Sequence, residues 1–189
     1  MPIPTPLYIS RSIIALAVIL FFGYIFNQHI PFIGERIVSY RFDRPDGAIG
    51  VFRPSVRYEL VDGEGGRKNA KVIEDPVYFD IKSIVGYNSA RFEFLYQKHT
   101  AFPVQMAYKN NQSGNPFTIV PFSEEKRGDW TLAIADIDLT SAVRQNTKYT
   151  FAFSVPGLIA NTTGDSVLIS KLTVTLLREP FFQTLREKL

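Results

Sequence analysis

The sequence predicts an all-β protein: an antiparallel β-sandwich preceded by one N-terminal transmembrane α-helix. Three observations predict it. A charge-free apolar run, Ser12 to Phe26, stands near the N-terminus. Behind it, short segments alternate apolar and polar residues with a period of two, the mark of half-buried strands. Gly, Pro, Asn and Ser separate these segments, and little room is left for helix.

Residues 1–27 read as an uncleaved signal anchor. The run SIIALAVILFFGYIF extends back to Leu7 with Arg11 as its one interruption. Residues 7–26 thus reach the length of about 20 that a helix needs to span a bilayer. Arg11 can snorkel to the headgroups, and Tyr8, Tyr24 and Phe26 flank the run as interfacial aromatics do. A cleaved signal peptide would show a small-x-small site after the run, and GYIFNQHIPF offers none. A pilin-type leader would carry a Gly-terminated basic stretch and an early Glu, which are absent. A buried core helix would share the composition, but the proline-punctuated break that follows argues against it. For orientation, Arg11 precedes the span while Arg36, Arg41 and Arg44 follow it. Those three alternate with Glu35, Asp43 and Asp46 and belong to a folded domain, so the first flank decides and the domain is expected outside the cytoplasm.

Residues 28–46 form a juxtamembrane linker, punctuated by Pro31 and Gly34, and a first strand with Val38, Tyr40 and Phe42 on one face. The sandwich itself is expected over residues 47–179. Val56, Tyr58 and Leu60 alternate up to the Gly-rich turn Asp62 to Gly66. Val77, Phe79 and Ile81 follow, then Phe92, Phe94 and Tyr96, then Val104, Met106 and Tyr108. Phe117 and Ile119 mark a further strand, and Trp130 to Leu139 another. Tyr149, Phe151, Phe153 and Val155 define the next. In the last, Leu168, Leu172, Val174 and Leu176 oppose Ile169, Lys171, Thr173 and Thr175. Segments of this kind with such turns make a sandwich or jelly roll. Ser141 to Asn146 has room for one helical turn. Residues 180–189 open on Pro180 and place Phe181, Phe182, Leu185 and Leu189 at near-helical spacing, a short amphipathic tail.

Composition narrows the function. The chain of 189 residues is 46% hydrophobic and 14% aromatic, which excludes disorder. Its net charge is +3, with Lys and Arg scattered along the sequence. The nearest cluster, Arg67, Lys68 and Lys71, reads as a solvated hairpin tip, so no nucleic-acid partner is expected. Without cysteine, and with His29 and His99 far apart, thiol chemistry and multi-histidine metal sites are excluded. His99 reads as a surface residue, and no G-x-S-x-G elbow is present for a triad. No enzyme is therefore expected.

The order of strands resembles galactose-binding-like jelly-roll domains, the group that holds many carbohydrate-binding modules and discoidin-type domains. The resemblance rests on Trp130 to Leu139 ending in IDL, on KYTFAFSVPGL up to the Pro156–Gly157 turn, and on the closing strand Val167 to Leu177. It covers roughly residues 51–177 and implies a sandwich whose end loops or concave face bind glycans or proteins.

Sugar binding needs aromatic faces for pyranose C–H groups beside polar side chains for hydroxyls. Tyr78, Tyr87 and Trp130, with Tyr108, stand outside the clean inward pattern. Asn88, Arg91, Asp129 and Asn115 are polar partners near them in sequence. Burial competes as an explanation, most of all for Trp130, because a lone Trp usually packs in a core. Asp136 and Asp138 share one face of a strand, and solvent exposure explains them. The loop from Asp62 to Asn69 lacks EF-hand spacing. No cofactor is expected, with Ca²⁺ the one ion such a fold leaves room for. Asn111-Gln-Ser113 and Asn161-Thr-Thr163 match the glycosylation pattern. The sequence therefore points to a membrane-anchored extracytoplasmic module that recognises a glycan, cell-wall polymer or protein. The alternative is a structural subunit of an envelope complex with no ligand of its own.

Overall fold

The computed structural model describes residues 13–22, 34–44, 47–82, 86–111, 116–160 and 164–178. The chain divides into two units, Met1–Gly34 and Glu35–Leu189. In the first, residues 13–22 are helical, and apolar side chains from Ile13 to Phe22 are exposed around the helix. No helix among the described residues is long and apolar enough to cross a membrane. The other residues of the expected span, 7–12 and 23–26, lie outside the described residues, as do the C-terminal tail 180–189, Asn115 and most of both sequons.

The second unit is a sandwich of two antiparallel sheets. The seven-stranded sheet contains β1 (Glu35–Tyr40), β2 (Tyr58–Asp62), β3 (Lys68–Val72), β5 (Ser89–His99), β8 (Ser123–Arg127), β9 (Trp130–Asp138) and β12 (Ser166–Leu177). The five-stranded sheet contains β4 (Val77–Lys82), β6 (Gln105–Lys109), β7 (Phe117–Val120), β10 (Arg144–Gln145) and β11 (Lys148–Ser154). In the first sheet β12 is the axis. One side of it pairs β5 along its length, while the other pairs β3 through Val167 to Ile169 and β1 through Leu172 to Leu177. In the second, β11 lies between β4 and β6, and β7 closes the far edge.

Alternation explains why these strands face as they do. Phe79 on β4 and Phe151 and Phe153 on β11 point inward and meet Phe92 and Phe94 of the opposite sheet. Ring centroids are 4.6 Å apart for Phe92 and Phe151 and 5.7 Å for Phe94 and Phe153. Each such pair contributes about 0.5–1.5 kcal/mol beyond the area it buries. Because these residues are inward, their neighbours at odd spacing are forced outward. On the five-stranded sheet those neighbours are Tyr78, Asp80 and Lys82 on β4 and Lys148, Thr150, Ala152 and Ser154 on β11.

Four expectations need correction. Val56 and Leu60 are 75% and 51% exposed: Val56 lies in a 3-10 turn, Ser55–Arg57, ahead of β2, and Leu60 is on β2, an edge strand of its sheet. On β7 the core residue is Val120, so Phe117 and Ile119 face outward. On β12 a bulge between Ile169 and Lys171 shifts the register. It turns Val167 and Ile169 to the same buried face as Leu172, Val174 and Leu176, with Leu168 outside. Ser141 to Asn146 holds no helical turn. A hydrogen-bonded turn closes there, with Ala142 N–H donating to Leu139 O at 3.2 Å, and leads into β10.

Candidate functional site

The sequence-derived site residues fall in four places. Tyr87 is 6% exposed and sits in the core, its hydroxyl without a partner among the described residues; its ring therefore offers no platform. Trp130, half-buried, and Asp129, exposed, lie at the β8–β9 hairpin. Asn88 and Arg91 lie at the opposite end of β9's pairing with β5. Tyr78 is on the outer face of the other sheet.

Asn88 and Arg91 line an open concavity of about 720 Å³ on the seven-stranded sheet, with Asp136, Asp138, Thr140 and Arg178. Arg91 donates from Nε and Nη2 to the two oxygens of Asp136 at 2.8 and 3.1 Å. This paired geometry uses the carboxylate at both oxygens. Among the described residues no aromatic ring lines the concavity. Its described lining offers polar groups, two of them already committed to each other.

The five-stranded sheet has the complementary character. Its outer face carries a row in register: Arg53 opposite Tyr78, then Ala152, Ala107 and Ile119. Tyr78 and the β7 strand are three strand spacings apart, about 14 Å. Yet the rings of Tyr78 and Phe117 lie 5.5 Å apart, tilted by 37°. Both side chains must lean inward across the sheet to meet. What lies beneath them is Ala152 and Ala107, outward-facing yet only 4% and 5% exposed. Two alanines form a floor, and two half-buried rings lie over it.

Polar groups stand beside the rings. Arg53 donates from Nη2 to Asp80 Oδ1 at 2.7 Å, and the Thr150 hydroxyl donates to the same oxygen at 2.8 Å. Both of these bonds fall on Oδ1, and among the described residues Asp80 Oδ2 has no hydrogen-bond partner. Gln105 and Ser154, cross-strand partners, face the same way. Segment 49–53 fixes Arg53 here by running along the edge of β4, where Arg53 and Tyr78 exchange backbone hydrogen bonds at 2.8 and 2.7 Å. Aromatic faces are negative and receive polarised C–H groups, while Asp80 and Thr150 can bond hydroxyls. Together these side chains can hold a polyhydroxylated ring.

Tyr78 was found in the sequence because it interrupts the inward pattern of Val77 and Phe79. Phe117, Asp80, Arg53 and Thr150 were not, since Phe117 reads as a core residue until the register with β6 is known. Among the described residues no group of three or more His, Asp or Glu could hold a metal ion. The Asp62 carboxylate in the Gly-rich hairpin is instead paired with Lys68 at 2.6 Å.

No protein-family model matches the chain, and no curated protein matches it. Among solved structures it is similar to the CBM22-1 xylan-binding domain of Paenibacillus barcinonensis Xyn10C, at 11% identity and a TM-score of 0.48, covering 77% of this chain and 97% of that one. It is also similar to the CBM35 from Cellvibrio japonicus Abf62, at 14% identity and 0.46, covering 76% and 99%. A third is the C-terminal CBM6 of LamC, a marine laminarinase from Zobellia galactanivorans, at 10% identity and 0.44, covering 74% and 99%. All three are carbohydrate-binding modules, the group that the strand order of the sequence resembles.

Proposed function

We propose that the β-sandwich is a glycan-binding module and that the outer face of its five-stranded sheet is the binding face. The observation that carries this reading is the Tyr78–Phe117 ring pair over the Ala152–Ala107 floor, beside an Asp80 carboxylate whose Oδ2 has no hydrogen-bond partner among the described residues. Apolar surface with a few placed polar groups is the usual make-up of a small-molecule site. The face recognises sugar and transforms nothing.

The module is tethered in this reading. Residues 12–26 carry no charge, and the helical residues within them expose apolar side chains all round. A helix apolar on every side suits lipid. The sandwich would then stand outside the cytoplasm, held at the surface that carries its ligand.

The test is binding of the full-length chain, in non-ionic detergent, to a panel of polysaccharides. Truncating a central aromatic anchor costs about 2 kcal/mol or more, roughly thirtyfold in affinity. Tyr78→Ala and Phe117→Ala are expected to lose binding to that extent with the circular dichroism spectrum unchanged. Trp130→Ala and Arg91→Ala are expected to keep it. The reverse pattern would move the site to the seven-stranded sheet. Protease accessibility of the sandwich in intact cells tests the orientation.

A second reading, an accessory subunit of an envelope complex, is favoured by one observation. Ile37, Val56 and Leu60 are exposed apolar residues on or beside the outer strands β1 and β2, a place where a partner strand or helix could dock. Cross-linking in the membrane distinguishes the two.

A further inference from the structure

Charge is unevenly divided between the two sheets. The strands of the seven-stranded sheet carry as many acidic as basic residues. Those of the five-stranded sheet carry one acidic residue, Asp80, against Lys82, Lys109, Arg144 and Lys148. Asp80 is moreover already neutralised by Arg53 at 2.7 Å. The strands of the larger sheet balance in charge, so the net positive charge of the strands lies on the five-stranded sheet.

Three of the lysines converge on its outer face. Lys82 and Lys148 are directly opposed across β4 and β11, and Lys148 is in turn opposite Gln145 of β10. Lys109 reaches the same amide, its Nζ donating to Gln145 Oε1 at 3.0 Å. Like charges directly opposite each other on a sheet are destabilising. Among the described residues no acidic side chain pairs with Lys82 or Lys148. The lysine row lies one register step, about 7 Å, beyond the row that holds Asp80 and Thr150, and Phe117 is paired with Lys109 on β7 and β6. A sugar seated on the rings would thus extend its neighbouring residues over the lysines.

We propose that this lysine corner binds the anionic groups of an acidic polysaccharide, carboxylate or sulfate, so that the module's ligand class is an anionic glycan. The inference rests on the glycan-binding reading of the same face. A bound anion would remove the repulsion between Lys82 and Lys148, which makes the interaction selective for charge. Gln145, fixed by Lys109, keeps its amide N–H groups available to the same oxygens.

The experiment measures binding of the full-length chain, in non-ionic detergent, to two matched pairs. These are polygalacturonate against the same polymer with its carboxyls reduced to alcohols, and dextran sulfate against dextran. At least one anionic member is expected to bind tenfold or more tighter than its neutral partner, with the preference shrinking as salt rises. Each exposed lysine contributes about threefold, so Lys82→Gln with Lys148→Gln should lose about tenfold. The control pair Lys98→Gln with Lys171→Gln, on the seven-stranded sheet, should change little. Equal binding within both pairs overturns the anionic class while leaving the glycan reading in place. Equal loss in the control pair also overturns it, because charge would then act without a site. Absence of binding to any glycan overturns the underlying reading and the inference with it. Capture by phosphatidylglycerol vesicles but by neither anionic polymer would assign the lysines to a lipid surface instead.

Discussion

At Asp138, which ends β9, the side chain accepts from the Thr140 hydroxyl at 2.7 Å, the Thr140 backbone N–H at 2.8 Å and the Ser141 hydroxyl at 3.4 Å. The Thr140 hydroxyl bond, then the backbone bond, hold this exposed carboxyl below the usual range. A carboxyl with a depressed folded value stabilises the fold above its unfolded pKa, and the contribution fades as pH falls through the folded one. In an NMR titration, Asp138 is expected to titrate below the ordinary carboxylate range, and Thr140→Ala to bring it back toward that range. An unchanged Asp138 in that variant would mean the turn does not hold it. The sequence showed Asp136 and Asp138 on one solvent face, and that is where they are. It did not show that one is tied to Arg91 and the other caps its own turn, because a partner across 45 residues leaves no local signal. The same holds for the candidate site. Tyr78 was legible from its own strand, whereas Phe117 and Asp80 acquire meaning from strands that pair only in the fold.

Strands were legible where period-2 alternation separates apolar from polar residues, as in Phe92, Phe94 and Tyr96 or Phe151 and Phe153. They were not where that contrast is missing. All five residues of β8, SEEKR, are exposed; it is an outer strand protected by charge, and such a strand has no alternation to read. On β12, Leu168 and Ile169 are both apolar, so the sequence cannot tell which faces in, and the bulge decides it. The pairing assigns Ile169 to Tyr96 and Lys171 to Leu95, leaving Ser170 as the extra residue. Deleting Ser170 therefore preserves the inward set Val167, Ile169, Leu172, Val174 and Leu176 and regularises the ladder. That variant is expected to unfold cooperatively with a moderate loss of stability. Deleting Thr173 instead would turn Lys171 inward and Leu172 outward, and burying an unpaired charge costs several kcal/mol. Urea denaturation of the two deletions separates these outcomes; equal damage would mean the bulge is required for itself.

For the whole sandwich, the tyrosines set an alkaline limit. Burial, then the charge of Tyr58, pushes Tyr40 up to about 12. Burial likewise raises Tyr58, and burial with a hydrogen bond to Glu124 raises Tyr96. A phenol that keeps its proton more firmly when folded contributes fully below its unfolded value, about 10, and loses that contribution as pH rises through the folded one. Stability is therefore expected to hold up to about pH 10 and to fall between 10 and 12, with Tyr40→Phe flattening the decline. Urea midpoints measured across that range check this, and a decline beginning near neutrality would point to another group. The position of β12 has a consequence in time. It is the last of the described strands, yet β1, β3 and β5 all pair with it, and β1 aligns Glu35 with Leu177. Contacts so distant along the chain form slowly. As the polypeptide is made from its N-terminus, most of the seven-stranded sheet must wait for its final segment, its earlier strands holding open edges meanwhile. The seven-stranded sheet is thus completed only once β12 is made, and a truncation short of β12 removes the strand that joins β1, the β2–β3 pair and the β5–β9–β8 group rather than one strand alone.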